Sequence, residues 1–336
     1  MINKCFLDFL LHIDGAEGKC YDKIPKGGRR MELIDAHVHI VPRGLLGTRD
    51  ERFGLTVEPF GLKCGGGERI RFLPAYMEDS AFSARALLAL LDDSGVSRAV
   101  IQQSFCHYDN EAVAEAVTAA PDRLSGAMVL EPRDDSCLAD MEYWASRGLR
   151  SLKFETSRGL GYTHPNAYPA LCFDTPLFDR LFERAAALGL TVTIDPGRPG
   201  DQCHDPAMLE RAVSAHPGTR FVLCHLGFPA PEMTEEREAL WQRMIALARF
   251  DNVYFDAAAM PDLFAAEGCP WPGAMARLRA FLDLYPGKAL WGSDVPGTLC
   301  NAAYPQMIEA FRRSPLFTEK ELKALFAETA KKAYAF

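Results

Sequence analysis

The sequence predicts an α/β protein folded as a (β/α)8 barrel of the TIM type, a single domain over residues 31–336 with a long loop after the first strand. Three observations predict it. Eight short apolar runs alternate strictly with segments of helical periodicity along a chain of 336 residues. No Gly-x-Gly-x-x-Gly follows any run, so a dinucleotide-binding sheet would lack its phosphate loop. Polar residues able to do chemistry stand at the ends of six of the runs, the face where a barrel gathers its active site.

The strands are expected at 33–40, 97–103, 124–130, 149–154, 190–195, 220–225, 252–257 and 288–292. Helices are expected near 80–94, 110–120, 136–147, 176–188, 206–216, 233–250 and 273–285, with 304–313 and 318–334 closing the chain. The first helix shows the pattern. Ser80 suits an N-cap, Ala84, Leu87, Leu88 and Leu91 recur at helical spacing, and Gly95 is a stop signal. Segment 41–79 exceeds an ordinary connection and includes Cys64 followed by three glycines, so it reads as a loop that closes over the barrel mouth.

Residues 1–30 match the rest poorly. Cys5 to Ile13 is apolar but broken by Asp8, lacks a small-residue cleavage site and is too short to span a bilayer. Met31 stands directly before the first strand, so residues 1–30 are expected to be a loosely attached extension or to precede the native start. Hydrophobic residues make up 48% of the chain, enough for a sizeable core. A net charge of −8, with Lys26 to Arg30 as the only dense basic spot, argues against nucleic-acid and anionic-membrane partners. The ten cysteines are dispersed without a Cys-x-x-Cys pair and read as reduced thiols of a cytoplasmic protein. A small-molecule carboxylate substrate is expected, and a homodimer is compatible with the sequence.

The most informative run is Ile34-Asp-Ala-His-Val-His-Ile40. In a strand of period two, His37 and His39 share a face roughly 7 Å apart, close enough for both imidazoles to reach one metal ion. Ile34, Ala36, Val38 and Ile40 then fall on the opposite face, toward helices. The alternative is a core strand whose histidines only form hydrogen bonds, an expensive use of two buried positions. Lys153 and Glu155 close the fourth strand, Asp195 the fifth, His225 the sixth and Asp256 the seventh, and Asp294 follows the eighth. Asp294 could instead cap the next helix, His225 could be a satisfied core residue, and Lys153 could pair with Glu155 or Asp195. Arg158 and Arg198 on rim loops suit a substrate carboxylate, with solvent as the alternative. His164 and His204 are loop residues without an expected ligand role. His12, His107 and His216 read as structural or surface.

Asp35-Ala-His37-Val-His39, His225-Leu-Gly and Gly292-Ser-Asp294-Val-Pro296, together with Pro121-Asp-Arg123 and Tyr108-Asp-Asn110, give the chain a likeness over roughly residues 32–336. It resembles the amidohydrolase superfamily, in its branch related to aminocarboxymuconate-semialdehyde decarboxylase. The resemblance implies a barrel enzyme with one divalent metal on His37, His39 and Asp294, a further ligand from the fifth strand, and a catalytic His225. The family pattern has histidine on the fifth strand, where this chain has Asp195. Either Asp195 ligates through a hard oxygen, tilting the site from zinc toward manganese or magnesium, or it stands beside the shell. Zinc remains the first expectation. Glu328-Thr-Ala330 replaces the family's usual Asn-Ala, with a structural consequence expected.

The mechanism implied is attack by a metal-activated water, with Asp294 accepting a proton and His225 as general acid–base. Lys153, Arg158 or Arg198 would hold an anionic end of the substrate. Hydrolysis of a small carboxylated amide, lactone or ester is the first reading. The alternatives are a lyase that decarboxylates or hydrates an unsaturated or aromatic acid, and a barrel that has lost its chemistry and only binds a ligand.

Overall fold

Eight short strands form one parallel sheet in strict chain order: Ile34–Val38, Arg98–Ile101, Leu124–Met128, Ser151–Glu155, Thr191–Asp195, Arg220–Leu223, Val253–Asp256 and Ala289–Leu290. This computed structural model describes residues 31–156 and 172–334. The ring closes where the first strand meets the segment after the eighth. Ala36 N donates to Trp291 O at 3.0 Å, His39 N to Val295 O at 2.7 Å, and Asp294 N to His37 O at 2.8 Å. Helices Ala84–Ser94, Asn110–Ala119, Cys137–Ser146, Pro176–Ala187, Pro206–Ala215, Glu235–Ile245 and Pro272–Leu284 connect successive strands. The expected barrel is therefore the observed one. No helix among the described residues is long and apolar enough to cross a membrane, and every described cysteine is a free thiol.

Alternation decides which side chains reach the interior. Phe154 turns outward against Phe178, with ring centroids 5.3 Å apart, and Phe221 turns outward against Phe182 at 5.1 Å. Each such buried aromatic contributes about 1.5–3 kcal/mol. Lys153, one residue before Phe154, consequently points inward. On the fifth strand the inward set is Thr191, Thr193 and Asp195. Thr191 donates to Ala333 O at 2.6 Å, and the Thr193 hydroxyl lies 2.9 Å from the Tyr334 hydroxyl. The C-terminal segment thus fills the barrel at the N-terminal ends of its strands, and the opposite end is left for the site.

Four expectations need correction. The first strand does not alternate cleanly. Its register against the second strand shifts between Asp35 and Val38, a bulge, and Ile34 and Ala36 join Val100, Val222, Leu290 and the C-terminal helix instead of the helical ring. The N-cap of the first helix is Ser83, which accepts from Ala86 N at 3.2 Å. Ser80 instead accepts from Gly61 N and donates to Glu58 O. The helix expected over 318–334 is interrupted, with a π turn at Ala324–Glu328 between Glu319–Lys323 and Thr329–Ala333.

The fourth correction concerns the long connection. Segment 41–79 contains a four-stranded antiparallel sheet of Arg49–Asp50, Leu55–Glu58, Leu62–Gly65 and Glu68–Arg71. Gly66 and Gly67, both at positive φ (57° and 85°), form the two-residue turn between its last two strands, a conformation that L side chains resist.

Candidate metal centre and active site

Three side chains converge at the mouth. His39 Nε2 lies 2.9 Å from Asp294 Oδ1, and His37 Nε2 lies 3.6 Å from the same oxygen. One ligand atom from each of the three falls within 4.8 Å of the others, a spacing that one ion can bridge. The first strand delivers both imidazoles, and the Gly292–Pro296 segment delivers the carboxylate beside them. Gly292 cannot carry a side chain there, because an added Cβ would stand 2.7 Å from His37 Cβ. Asp294 adopts φ +64° and is held there by its backbone bond to His37. Its side chain faces His39 and makes no capping bond to the following turn among the described residues, so the helix-cap alternative is not what the fold uses.

Electrostatics suit ligation. Burial lowers the His37 pKa to about 4, so the ring is neutral and offers a lone pair at ordinary pH. Burial alone would raise Asp294, but the His39 hydrogen bond and the His37 and His225 imidazoles hold its carboxyl well below the usual carboxylate range. The donor set of two imidazoles and one carboxylate fits a divalent ion.

Asp256, at the end of the seventh strand, is the residue whose role sequence reasoning missed. It is fully buried. One oxygen lies 2.9 Å from His37 Nδ1, and the other accepts from His225 N at 2.7 Å and Ala258 N at 3.2 Å. It therefore fixes the His37 tautomer, with Nδ1 protonated and Nε2 free toward Asp294. Asp256→Asn is expected to weaken divalent-metal binding roughly 10–100-fold. Chelator competition on purified protein measures it, and unchanged affinity would leave Asp256 a purely structural acceptor.

His225 stands next to this group, its ring centroid 4.8 Å from that of His37. It opens a run of left-handed residues, with His225, Leu226 and Phe228 at φ +57°, +52° and +62° around Gly227. Left-handed backbone at non-glycine residues costs of order 1–3 kcal/mol each, and such runs cluster at functional sites. Trp241 Nε1 bonds Leu226 O at 2.8 Å and holds the turn. The imidazole nitrogens each look toward a carboxylate beyond hydrogen-bond range: Nδ1 is 3.8 Å from Asp256 Oδ1, and Nε2 is 3.9 Å from Asp195 Oδ2.

The remaining candidates divide. Asp195 is buried beside His225, accepts from Gly197 N at 3.0 Å and is not one of the three converging ligands. Lys153 is buried with Nζ 3.0 Å from Cys224 Sγ. Burial would favour its neutral form, but Cys224, Asp195 and Asp256 keep it charged, above lysine's ordinary range. Arg198 is exposed and lines the cavity at the mouth, whereas Arg158 and His164 lie outside the described residues. That cavity, of about 760 Å³, is bounded by His39, Asp294, Glu155 and Arg198 and walled by the inserted sheet through Val57, Lys63 and Ile70. Two further clusters among the described residues have ligand spacing: His37, Cys224 and His225, which shares His37 with the first, and Asp50, Cys106 and His107, where Asp50 is already bound by the Arg52 guanidinium and by His107 N.

Comparison with solved structures finds the same barrel. A probable 2-pyrone-4,6-dicarboxylic acid hydrolase from Acinetobacter baumannii with citric acid bound is 18% identical, with a TM-score of 0.65 and coverage of 91% of this chain and 100% of that one. An amidohydrolase from Burkholderia multivorans with bound zinc is 16% identical, with a TM-score of 0.66 and coverage of 91% and 99%. The 5-carboxyvanillate decarboxylase of Sphingomonas paucimobilis is 18% identical, with a TM-score of 0.58 and coverage of 91% and 99%. The amidohydrolase family model matches residues 34–336, and the chain, an enzyme with a candidate metal site at its barrel mouth, belongs to that family.

Proposed function

We propose that the protein is a metal-dependent hydrolase of a small carboxylated amide, lactone or ester, with one divalent ion on His37, His39 and Asp294. The observation that carries this reading is the convergence of both Nε2 atoms on one carboxylate oxygen at the mouth of a cavity. When bound, such an ion supplies a Lewis acid that polarises a carbonyl and lowers the pKa of water toward about 7. The similar barrel that holds zinc supports zinc as the first choice, with manganese or magnesium as alternatives.

The chain's own residues supply the rest. Asp294, anionic over the whole working range, is placed to accept a proton beside the reacting carbon. His225, on the other side of His37, protonates the leaving atom. Asp195 Oδ2 faces His225 Nε2 at 3.9 Å, on the inner face of the fifth strand. Lys153 neutralises the buried Asp195 and Asp256 and keeps their charge from spreading into the site. Arg198 on the rim meets the anionic end of the substrate.

A second reading has support of its own. One of the similar barrels is a decarboxylase, and the same residues could protonate a carbon after loss of carbon dioxide. The experiment has two arms. Metal analysis of purified wild type and His39→Ala should show about one equivalent in the first and a large loss in the second. Equal metal in both would remove the basis of either reading. Carbon dioxide release from a panel of aromatic and muconate-type acids, set against hydrolysis of lactones and amides, then decides between the two reactions.

A further inference from the structure

One lysine inside the barrel has a thiol as its partner. Lys153, from the middle of the fourth strand, is 3% exposed, and its Nζ stands 3.0 Å from the sulfur of Cys224, fully buried directly after the sixth strand. The fifth strand lies between them, with Thr193 in register with both Lys153 and Val222, so the contact reaches across the inner wall of the barrel. That sulfur is the only hydrogen-bond partner of Lys153 among the described residues, and a thiol is a weak acceptor. Asp195 and Asp256 act on the ammonium from farther away. Cys224 also lies beside the candidate active site, its sulfur within 4.8 Å of a ring nitrogen of His37 and of one of His225.

A lysine held against a carboxylate has no covalent chemistry open to it. A lysine held against a thiol is different, because nitrogen and sulfur are both nucleophilic and both oxidisable. Burial pushes the Cys224 thiol up and keeps bulky reagents from it, while the Lys153 ammonium pulls it back down. The oxidants that reach such a sulfur are small and neutral. The amine in contact with whatever oxygen the sulfur acquires is Lys153. An exposed cysteine climbs the oxidation ladder or pairs with a second thiol, whereas this one meets a nitrogen.

We propose that Lys153 and Cys224 form a redox modification site, in which one oxygen atom joins them as a covalent nitrogen–oxygen–sulfur bridge. The oxidant is dioxygen. Sulfur and nitrogen each give up two electrons, and dioxygen takes all four. Its O=O bond breaks; one oxygen forms the S–O and O–N bonds and the other leaves as water. The S–H bond and two N–H bonds of the ammonium break. Two of those hydrogens go into the water and the third is released as a proton. Two molecules of a dithiol return the four electrons and restore thiol, amine and a water. The 3.0 Å gap suits a single bridging atom with little movement of either strand. A nitrogen bonded to oxygen is weakly basic, so the bridge is uncharged at neutral pH. Asp195 and Asp256 then lose their nearby cation, and Asp256 is the group that fixes His37. Oxidation therefore lowers turnover. The bridge stands independently of the reaction catalysed, and its effect on turnover rests on the proposed metal-dependent reaction.

Purified metal-loaded protein is held under air, or under nitrogen with dithiothreitol, then denatured, alkylated with iodoacetamide, digested and analysed by peptide mass spectrometry. The aerated sample is expected to contain the Lys153 peptide joined to the Cys224 peptide, heavier than their sum by one oxygen less two hydrogens. Dithiothreitol should remove this species and restore free Cys224. The exposed Cys172, Cys269 and Cys300 are internal controls and should show no such link. Lys153→Arg and Cys224→Ser should each lack it. Aeration should lower wild-type turnover of the substrate found by the panel assay about tenfold, reversibly, and leave Cys224→Ser turnover unchanged. Cys224 that stays fully alkylatable under air, or is oxidised without a link to Lys153, overturns the proposal. A link lacking the added oxygen is a direct sulfur–nitrogen bond and overturns the oxygen bridge. Bridged protein that turns over as fast as reduced protein overturns the effect on catalysis and leaves the bridge standing. Reduced protein that turns over no substrate, with the bridge forming under air, overturns the proposed reaction and not the bridge.

Discussion

Replacing His225 with alanine is expected to cut turnover about 10²–10⁴-fold while metal content stays unchanged, because a positioned acid–base group is worth that much and His225 is not one of the three converging ligands. The geometry allows the separation. The His225 ring sits against that of His37, and its backbone N–H, not its imidazole, is the group that Asp256 anchors. Removing the ring therefore leaves the Asp256 contacts to His37 in place. The strained backbone from His225 to Phe228 is held by Trp241 and by Gly227, so the turn should survive the substitution. The measurement is steady-state turnover of whichever substrate the panel assay finds, with metal analysis of the same preparation. Turnover within a few-fold of wild type would make His225 structural. Loss of metal together with turnover would make it a ligand.

Asp294→Asn should have the larger effect. It removes the one anionic ligand and the proposed proton acceptor together, yet it preserves shape. Asparagine tolerates the left-handed backbone found at this position, so folding should be intact. Residues that only support a ligand are worth roughly 10–100-fold in metal affinity, and a ligand itself should exceed that. Affinity is expected to fall by more than about a hundredfold and turnover to reach background, at an unchanged melting temperature of the metal-free protein. A variant that keeps its metal would transfer the anionic role to another carboxylate beside His225, Asp195 or Asp256.

What could be read from sequence follows from what is local. Runs such as Thr191–Asp195 or Arg220–Leu223 are short, apolar and bounded by turn signals, and all eight strands appear within a few residues of their expected places. His37 and His39 could be paired because two residues separate them. The Asp256 contact to His37 spans 219 positions, and no periodicity marks it. The alternation of the fifth strand put Asp195 on the inner face, but which neighbour it meets depends on how the barrel closes. The bulge in the first strand broke a strict alternation that its sequence gave no reason to doubt.

The inserted sheet is the instructive miss. Leu55-Thr-Val57-Glu58 alternates over only four residues, and Glu68-Arg-Ile70-Arg71 carries more charge than an ordinary strand. The adjacent glycines at 66 and 67 were a usable hairpin signal. Once the sheet is placed, a lysine that looks like a surface residue becomes a buried one, because burial depends on what lies across from it.

Anomalous diffraction from crystals of the purified protein tests the central claim most directly. The expected result is one strong peak at the barrel mouth, about 2.0–2.3 Å from His37 Nε2, His39 Nε2 and an Asp294 oxygen. A peak only at Asp50, Cys106 and His107, or no peak in protein that retains its metal by analysis, would contradict it.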